Sequence, residues 1–426
     1  MPKFLLLLFS ALFLLGCEED KTTVLRETPE TPKTEVNNLA QPEVKYEAAS
    51  VSESQKDALV KGNNEFAFDL YKCFADPSKP VFFSPYSVSS AMGMLTLGAR
   101  GETENELKKV LRFQDGGAQL GSEFKELRES IVSSNEKFTM TDANSLWLNV
   151  GFKMLESYGN AVKEFFGGQA ETINFADNKA AAKKINSWIE DHTRKLIKDM
   201  IQPDALGPST RLVLVNAVSF LAKWQVEFEE GGTRSLNCQD CQGRTAKADL
   251  MRQESYLSVA DLEGVKAVEL DYLGAKYSFL ALMPDDPAAF PAFVKGLDSG
   301  VVEKYTKALA SEDVILLFPK FDTEYSQSLT DIFKKMGLSL SFTDSADFSG
   351  ISKEGLCVSD VIHKAKIKVY ESGTEAAAAT AVMVKCTGIA MKRPKEFRFN
   401  KPFVYMIREK ATGAILFMGH YTVQGK

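Results

Sequence analysis

Three histidines, His192, His363 and His420, are the only side chains of this 426-residue chain that titrate near neutrality without perturbation. None sits in an H-E-x-x-H pattern, and neither G-x-S-x-G, G-x-x-x-x-G-K-[ST] nor G-x-G-x-x-G occurs. Zinc-peptidase, serine-hydrolase and nucleotide chemistries therefore lack their residues. His192 falls on the helical stripe of Ile185, Trp188, Ile189, Leu196 and Met200, where a satisfied core histidine is expected. Six cysteines occur, at 17, 73, 238, 241, 357 and 386. Cys238-Gln-Asp-Cys241 has the spacing of half a zinc site, but no second pair follows, so plain thiols or a small local disulfide are expected rather than a metal site. No carboxylate pair can be set at a glycosidase's separation from sequence. The reading is a chain that is not an enzyme, with no metal and no cofactor.

A different kind of chemistry lies in Glu371-Ser-Gly-Thr-Glu-Ala-Ala-Ala-Ala-Thr-Ala-Val-Met-Val384. At a period of two, Thr374, Ala376, Ala378, Thr380, Val382, Val384 and Cys386 form one uncharged face of small to medium side chains. The alternate set holds Glu375 and Lys385, the only charges between Thr374 and Thr387. A strand buried on one face and solvated on the other has this pattern. The unbroken run Ala376, Ala377, Ala378, Ala379 favours a helix instead. The flanks decide. Gly373 supplies a hinge, strand-like His363–Tyr370 precedes it, and strand-like Phe397–Ile407 follows. The segment reads as a loop able to become a strand.

This run, E-x-G-T-E-A-A-A-A-T-A, resembles the hinge of the reactive-centre loop of the serpins, here Glu371, Gly373, Thr374, Glu375, Ala376, Ala377, Ala378, Ala379 and Thr380. The segment opening Phe83-Ser-Pro-Tyr-Ser resembles the family's helix B, Ile185-Asn-Ser-Trp-Ile-Glu its helix F, and Leu212–Trp224 its central strand. Phe399-Asn-Lys-Pro-Phe and Ile415–Gly419 resemble its closing strands. The matches keep the family's order over roughly residues 60–421. The resemblance implies an α+β serpin-like fold with three β-sheets, about eight or nine helices and an exposed reactive-centre loop near residues 371–398. It also implies a shutter of Ser84, Ser87, Asn216 and His363, and a breach of Trp224, Lys320 and Glu371. The function implied is irreversible suicide inhibition of a serine protease. The partner cleaves the loop, forms an acyl-enzyme, and is trapped as the cleaved loop inserts into the central sheet. Alternatives are a non-inhibitory serpin-like binding protein or an inhibitor of cysteine proteases. Family spacing along the loop selects Thr387–Gly388 as the reactive bond, which suits elastase-like enzymes; cleavage after Lys385, Cys386 or Met391 stays open.

These residues need elements to hold them. Helical spacing marks Phe66, Leu70 and Cys73–Phe74, then Ile185–Met200, then Leu329, Ile332–Phe333 and Met336 with Gly337 as the stop. Strand-like runs are Leu146–Val150, Leu212–Phe220, Tyr277–Met283, Val314–Phe318 and Ala414–Met418. Helices come early and strands late, which suits α+β rather than alternating units. Asn216 interrupts an apolar strand, and a buried amide needs partners or costs about 1–3 kcal/mol.

Hydrophobic residues at 44% and charges at 25% allow a large core. A formal charge of −6, with no basic stripe among aromatics, argues against nucleic acid. Between Gln114 and Met140 only Lys125, Arg128 and Lys137 are basic, which argues against activation by a polysaccharide. Lys392-Arg-Pro-Lys395 reads as an exposed loop tip. The start, with Lys3 before the apolar run Phe4–Leu15, has the length of a signal-peptide core rather than a membrane span. Leu14-Leu-Gly-Cys17 resembles a bacterial lipobox, so Cys17 is expected to carry lipid. The expected organisation is a lipoprotein signal peptide over 1–16, a flexible tether over 17–50 and the globular domain over 51–426. The product is a monomer, extracytoplasmic and anchored to a bacterial membrane on the periplasmic face or cell surface.

Overall fold

In the computed structural model, residues 45–74, 76–131, 138–374 and 394–424 are described. The helices among them are α1 (Glu53–Phe74), α2 (Pro85–Gly98), α3 (Gly101–Leu111), α4 (Gly117–Ile131), α5 (Glu156–Ala161), α6 (Asn178–His192), α7 (Phe290–Gly296), α8 (Ser299–Ala308) and α9 (Thr330–Lys335).

Two sheets carry the strands, numbered here along the chain. The six-stranded sheet runs β10 (Phe321–Ser328), β11 (Asp360–Tyr370), β12 (Gly373–Thr374), β4 (Leu212–Lys223), β2 (Phe138–Asn149) and β3 (Gln169–Ile173). The nine-stranded sheet runs β1 (Val81–Phe83), β15 (Ile415–Tyr421), β14 (Phe403–Glu409), β8 (Tyr277–Pro284), β7 (Val265–Asp271), β6 (Thr245–Leu262), β9 (Ala310–Pro319) and β13 (Lys395–Arg398), with β5 (Arg234–Gln239) also on β6. The two further sheets expected from sequence join into one because β6, 18 residues long, is shared. Its first part pairs with β5, its middle with β9 and its last part with β7.

Helix α2 is buried along its whole length, which its nearly continuous apolar and small-residue sequence permits. Ser84 caps it, accepting from Ser87 N–H, and Pro85 takes the first turn, where no N–H is needed. Helix α6 is amphipathic. Asp177 caps it, and Ala181, Ala182, Ile185 and Ile189 pack on Trp147 of β2 and Val213, Val215 and Ala217 of β4. The helix therefore lies on the outer face of the six-stranded sheet. The opposite face, with Leu214, Val218, Ala365, Ile367 and Val369, joins the main core.

Three sequence expectations shift. His192 is exposed rather than in the core; its ring stacks on Trp188 and its Nδ1 contacts the Trp188 carbonyl at 2.7 Å. The strand expected over Leu146–Val150 begins at Phe138, because polar Thr141, Asp142 and Asn144 still pair with β4. Contacts with the globular part already begin before residue 51. Tyr46, assigned to the tether, donates to the Gly350 carbonyl at 2.9 Å and packs edge-on against Tyr158.

Candidate functional site

The centre of interest is the seam between β4 and β11. Over most of its length the two strands pair directly and in parallel, from Asp360 opposite Val213 to Lys366 opposite Ser219. At its upper end β12 sits between them. Gly373 and Thr374 run antiparallel to both neighbours, Gly373 opposite Lys223 and Tyr370, Thr374 opposite Ala222 and Val369. A Cβ on Gly373 would lie 2.2 Å from the Ala222 carbonyl oxygen, so only glycine fits here. Thr374 is fully buried and its hydroxyl shares a 2.7 Å hydrogen bond with Tyr272.

Aromatic and charged groups hold this upper end. Trp224 stacks on Tyr272 with ring centroids 4.6 Å apart, and its Nε1 donates to the Tyr370 carbonyl at 2.9 Å. Backbone bonds from Trp224 N to Ser372 O and from Phe228 N to Glu371 O fix the turn before β12. Lys320 Nζ lies 2.9 Å from Glu371 Oε2, and Thr233 donates to Oε1 at 2.7 Å. Burial pushes the Glu371 carboxyl up, but the Lys320 and Thr233 hydrogen bonds outweigh it and hold the group below its ordinary range. The breach residues inferred from sequence thus lie together.

The paired part of the seam is crossed by a polar chain. Ser84 N–H donates to His363 Nε2 at 3.3 Å, so the ring proton is on Nδ1, which donates to Asn216 Oδ1. Asn216 Nδ2 donates to Ser87 Oγ and Asn144 Oδ1. Ser87 Oγ donates in turn to Asp142 Oδ1, as does Asn144 Nδ2 at 3.0 Å. Ser84 Oγ closes the other end on the Leu416 carbonyl at 2.6 Å. From His363 onward each donor points toward one terminal acceptor, the Asp142 carboxylate. Burial drives His363 down to about 3, so the ring is neutral, and drives Asp142 up to about 6 against the opposing bonds of Ser87 and Asn144 and the charge of Arg128.

Ser87, Asn216 and His363 are therefore joined side chain to side chain, and Ser84 joins them through its backbone N–H. Asn144, Asp142, Tyr272 and Thr233 belong to the same two clusters and were not read from sequence. Asn144 lies directly opposite Asn216 in the ladder, a long-range register that no local pattern announces. Cys17, Glu375, Ala376, Ala377, Ala378, Ala379, Thr380, Lys385, Cys386, Thr387, Gly388 and Met391 lie outside the described residues. Cys73, Cys238, Cys241 and Cys357 are free thiols. Burial pushes Cys238 up to about 11, unsuited to metal or redox work. Among the described residues no grouping of His, Cys, Asp and Glu could hold a metal, and no helix is long and apolar enough to cross a membrane.

This arrangement, a sheet with a hinge seated at one end of its central seam, defines a class by its fold. The family profile "Serpin (serine protease inhibitor)" matches residues 61–423. An uncharacterized serpin-like protein of Thermococcus kodakarensis is 37% identical over 89% of this chain and 88% of its own. The thermophilic serpin tengpin in its native state superposes with a TM-score of 0.79 at 25% identity, over 90% of this chain and 97% of that one. Human thyroxine-binding globulin complexed with thyroxine superposes with a TM-score of 0.80 at 28% identity, over 87% of this chain and all of that one. The chain belongs to the serpin family, whose members are described as protease inhibitors rather than enzymes.

Proposed function

We propose that this protein is a suicide inhibitor of serine endopeptidases that works by inserting its cleaved loop between β4 and β11. The observation that carries the reading is β12, a hinge already hydrogen-bonded to both flanking strands at the end of an otherwise closed seam. A protease serine attacks the loop and forms an acyl ester. Freed at the cut, the loop zips downward from Thr374 in the register that Thr374 already has. Six residues on, the same register brings Thr380 between Asn216 and His363. On this reading its hydroxyl offers these two groups a partner as their own hydrogen bond parts. Roughly a dozen ladder bonds at about 1 kcal/mol each supply on the order of 10 kcal/mol to the transition. Small uncharged residues at 374, 376, 378 and 380 suit the core face. Ala377, Ala379 and Ala381 suit the other face, where α6 covers Val215 and Ala217.

Thr387–Gly388 is the proposed reactive bond. A serine protease that accepts a small β-branched residue should then give a complex with this protein that survives denaturing electrophoresis, while its Ser-to-Ala variant gives none. Clean cleavage by elastase-like, trypsin-like and subtilisin-like enzymes without complex would defeat the inhibitor reading. It would favour the non-inhibitory one, for which a thyroxine-binding relative of the same fold is the precedent. A thioester complex with a cysteine protease would redirect the reading within the inhibitor class. Export and lipid anchoring at Cys17 belong to the same proposal, supported by Leu14-Leu-Gly-Cys17. A Cys17→Ser variant should leave the membrane fraction; equal retention would defeat the anchor.

A further inference from the structure

The loop that follows α6 crosses the same seam on the outer face. It is tied back to α6 by Asn186, whose amide donates to the Ile201 carbonyl at 2.8 Å and accepts from Ile201 N–H at 2.9 Å. It is tied to β11 by Lys364, whose Nζ donates to the Lys198 carbonyl at 2.9 Å and pairs with Glu324 of β10 at 2.7 Å. Helix α6 itself rests mainly on β2 and β4. The loop is thus a strap with one end on the β4 side and the other on β11.

Under the strap lies a cleft of about 500 Å³ lined by Lys195, Leu196, Lys198, Asp199, Glu324, Lys364 and Lys366. Four lysines and two carboxylate residues line it, an excess of two positive charges in a chain whose formal charge is −6. Glu324 is already shared between Lys364 and Lys366, at 2.7 and 4.0 Å. Lys195 and Lys198 pair with no carboxylate among the described residues. Lys364 is 8% exposed, a nearly buried cation that the cleft reaches. Arg194, Lys195 and Asp199 hold φ of 52°, 61° and 48°, a left-handed conformation costly for such residues. Lysines gathered without carboxylate partners are point-charge ligands for phosphate and sulfate oxygens.

We infer that this cleft binds a small, multiply charged oxyanion of the phosphate or sulfate class, held between the strap and β11. An anion bridging Lys198 on the strap to Lys366 on β11 ties the two sides of the seam together. Binding should then slow the parting of β4 from β11, and so act as a brake on loop insertion; this second step rests on the proposed function, whereas the site does not.

The test is titration calorimetry of the intact protein with pyrophosphate, and separately with sulfate, at constant ionic strength set with sodium chloride. Micromolar to sub-millimolar binding of pyrophosphate is expected, weakened about tenfold or more in the Lys198→Gln/Lys366→Gln double variant, since two charge pairs to the anion are lost. A Lys307→Gln/Lys334→Gln variant, with the same charge change on other helices, should bind as the parent does. No binding of either anion at millimolar concentration, or equal weakening in both double variants, would overturn the site. Tight binding of sulfate but not pyrophosphate would keep the cleft and assign it to sulfate esters. For the brake, saturating pyrophosphate should lower the yield of covalent protease complex at least twofold in the parent and not in the Lys198→Gln/Lys366→Gln variant. An unchanged yield with proven binding overturns the brake alone. Absence of complex with every protease, with or without the anion, overturns the inhibitor reading while calorimetry still reports on the site.

Discussion

The two ends of the β4–β11 seam are built from different materials. At the upper end the strands are held apart by Gly373 and Thr374, with a Trp224–Tyr272 stack beneath and a half-exposed ion pair outside. Lower down, the strands touch and are fastened by a buried chain of neutral amide, imidazole and hydroxyl groups running to one carboxylate. An aromatic stack tolerates a new strand beside it, because dispersion contacts are many and individually small. A hydrogen-bond chain does not; it must be broken at named atoms or replaced by equivalents. The difference teaches where resistance to opening resides. On the proposed mechanism, the upper end would admit the loop and the polar chain would set how far it goes unaided.

The largest effect should come from converting the closed part into a copy of the open one. Cleavage within the loop should raise the thermal midpoint by tens of degrees, on the scale where 1 kcal/mol shifts a 150–250-residue domain about 2–4 °C. Thr374→Arg should abolish that rise and turn inhibitor into substrate, because position 374 is fully buried against Tyr272 and an unpaired charge there is costly. A cleaved Thr374→Arg protein with an undiminished rise in midpoint would break the comparison outright.

Next in size is the lock. His363→Ala leaves Ser84 N–H and Asn216 Oδ1 without their partner, and each buried orphan costs about 1–3 kcal/mol. The uncleaved midpoint should fall by several degrees, and the cleaved one by less if Thr380 takes over. Equal losses in both forms would show that the chain supports the fold but does not hold the seam.

A pH scan sharpens the same point. His363 has its folded pKa depressed to about 3 from 6.5, and His420 to about 4, both by burial. Their contribution is complete above 6.5 and is lost as pH falls through the window down to the folded values, where buried imidazoles must charge. Asp142 runs the other way. Its folded pKa is raised from 3.8 to about 6, so it burdens the fold above about 6 and the burden lifts as pH falls toward 3.8. Asp142→Asn, which keeps an acceptor for Ser87, should therefore raise the midpoint at pH 7.5 and leave it nearly unchanged at pH 4. The smallest effect belongs to the upper gate. Lys320→Ala removes a partly exposed pair worth under about 1 kcal/mol, so stability should barely move.

Much of this was legible in the chain because its signals are local. Ser84-Pro85 followed by Ser87 is a helix-start pattern, and both Ser84, which caps α2, and Ser87 reach the seam, Ser84 through its backbone N–H. Asn216 was visible as the one amide in an apolar strand, and Gly337 stops α9 at a φ of 102°. What escaped depends on register between distant strands. Asn144 and Asp142 look like ordinary polar residues until β2 is laid against β4, where they face Asn216 and Val218. Tyr272 likewise gains meaning only from Trp224 and Thr374, which pack on it from elsewhere in the chain. His192 misled because one residue at the end of a helical stripe can point past the edge of the surface the helix covers.

β4 is also a ruler. It is 12 residues long, and Gly373 already occupies the rung opposite Lys223. Counting down in that register, residue 384 of an inserted loop would meet Leu212, the last rung, after a travel of roughly 40 Å at about 3.4 Å per residue. A bond at 387–388 would lie just past the end of the scale, so every rung would fill before the chain runs out. A protease that cuts at 379 would fill only about half the rungs and travel only about half the distance. If the cleaved loop inserts as proposed, the length of one strand would thus separate enzymes that can be carried the full distance from those that cut and leave.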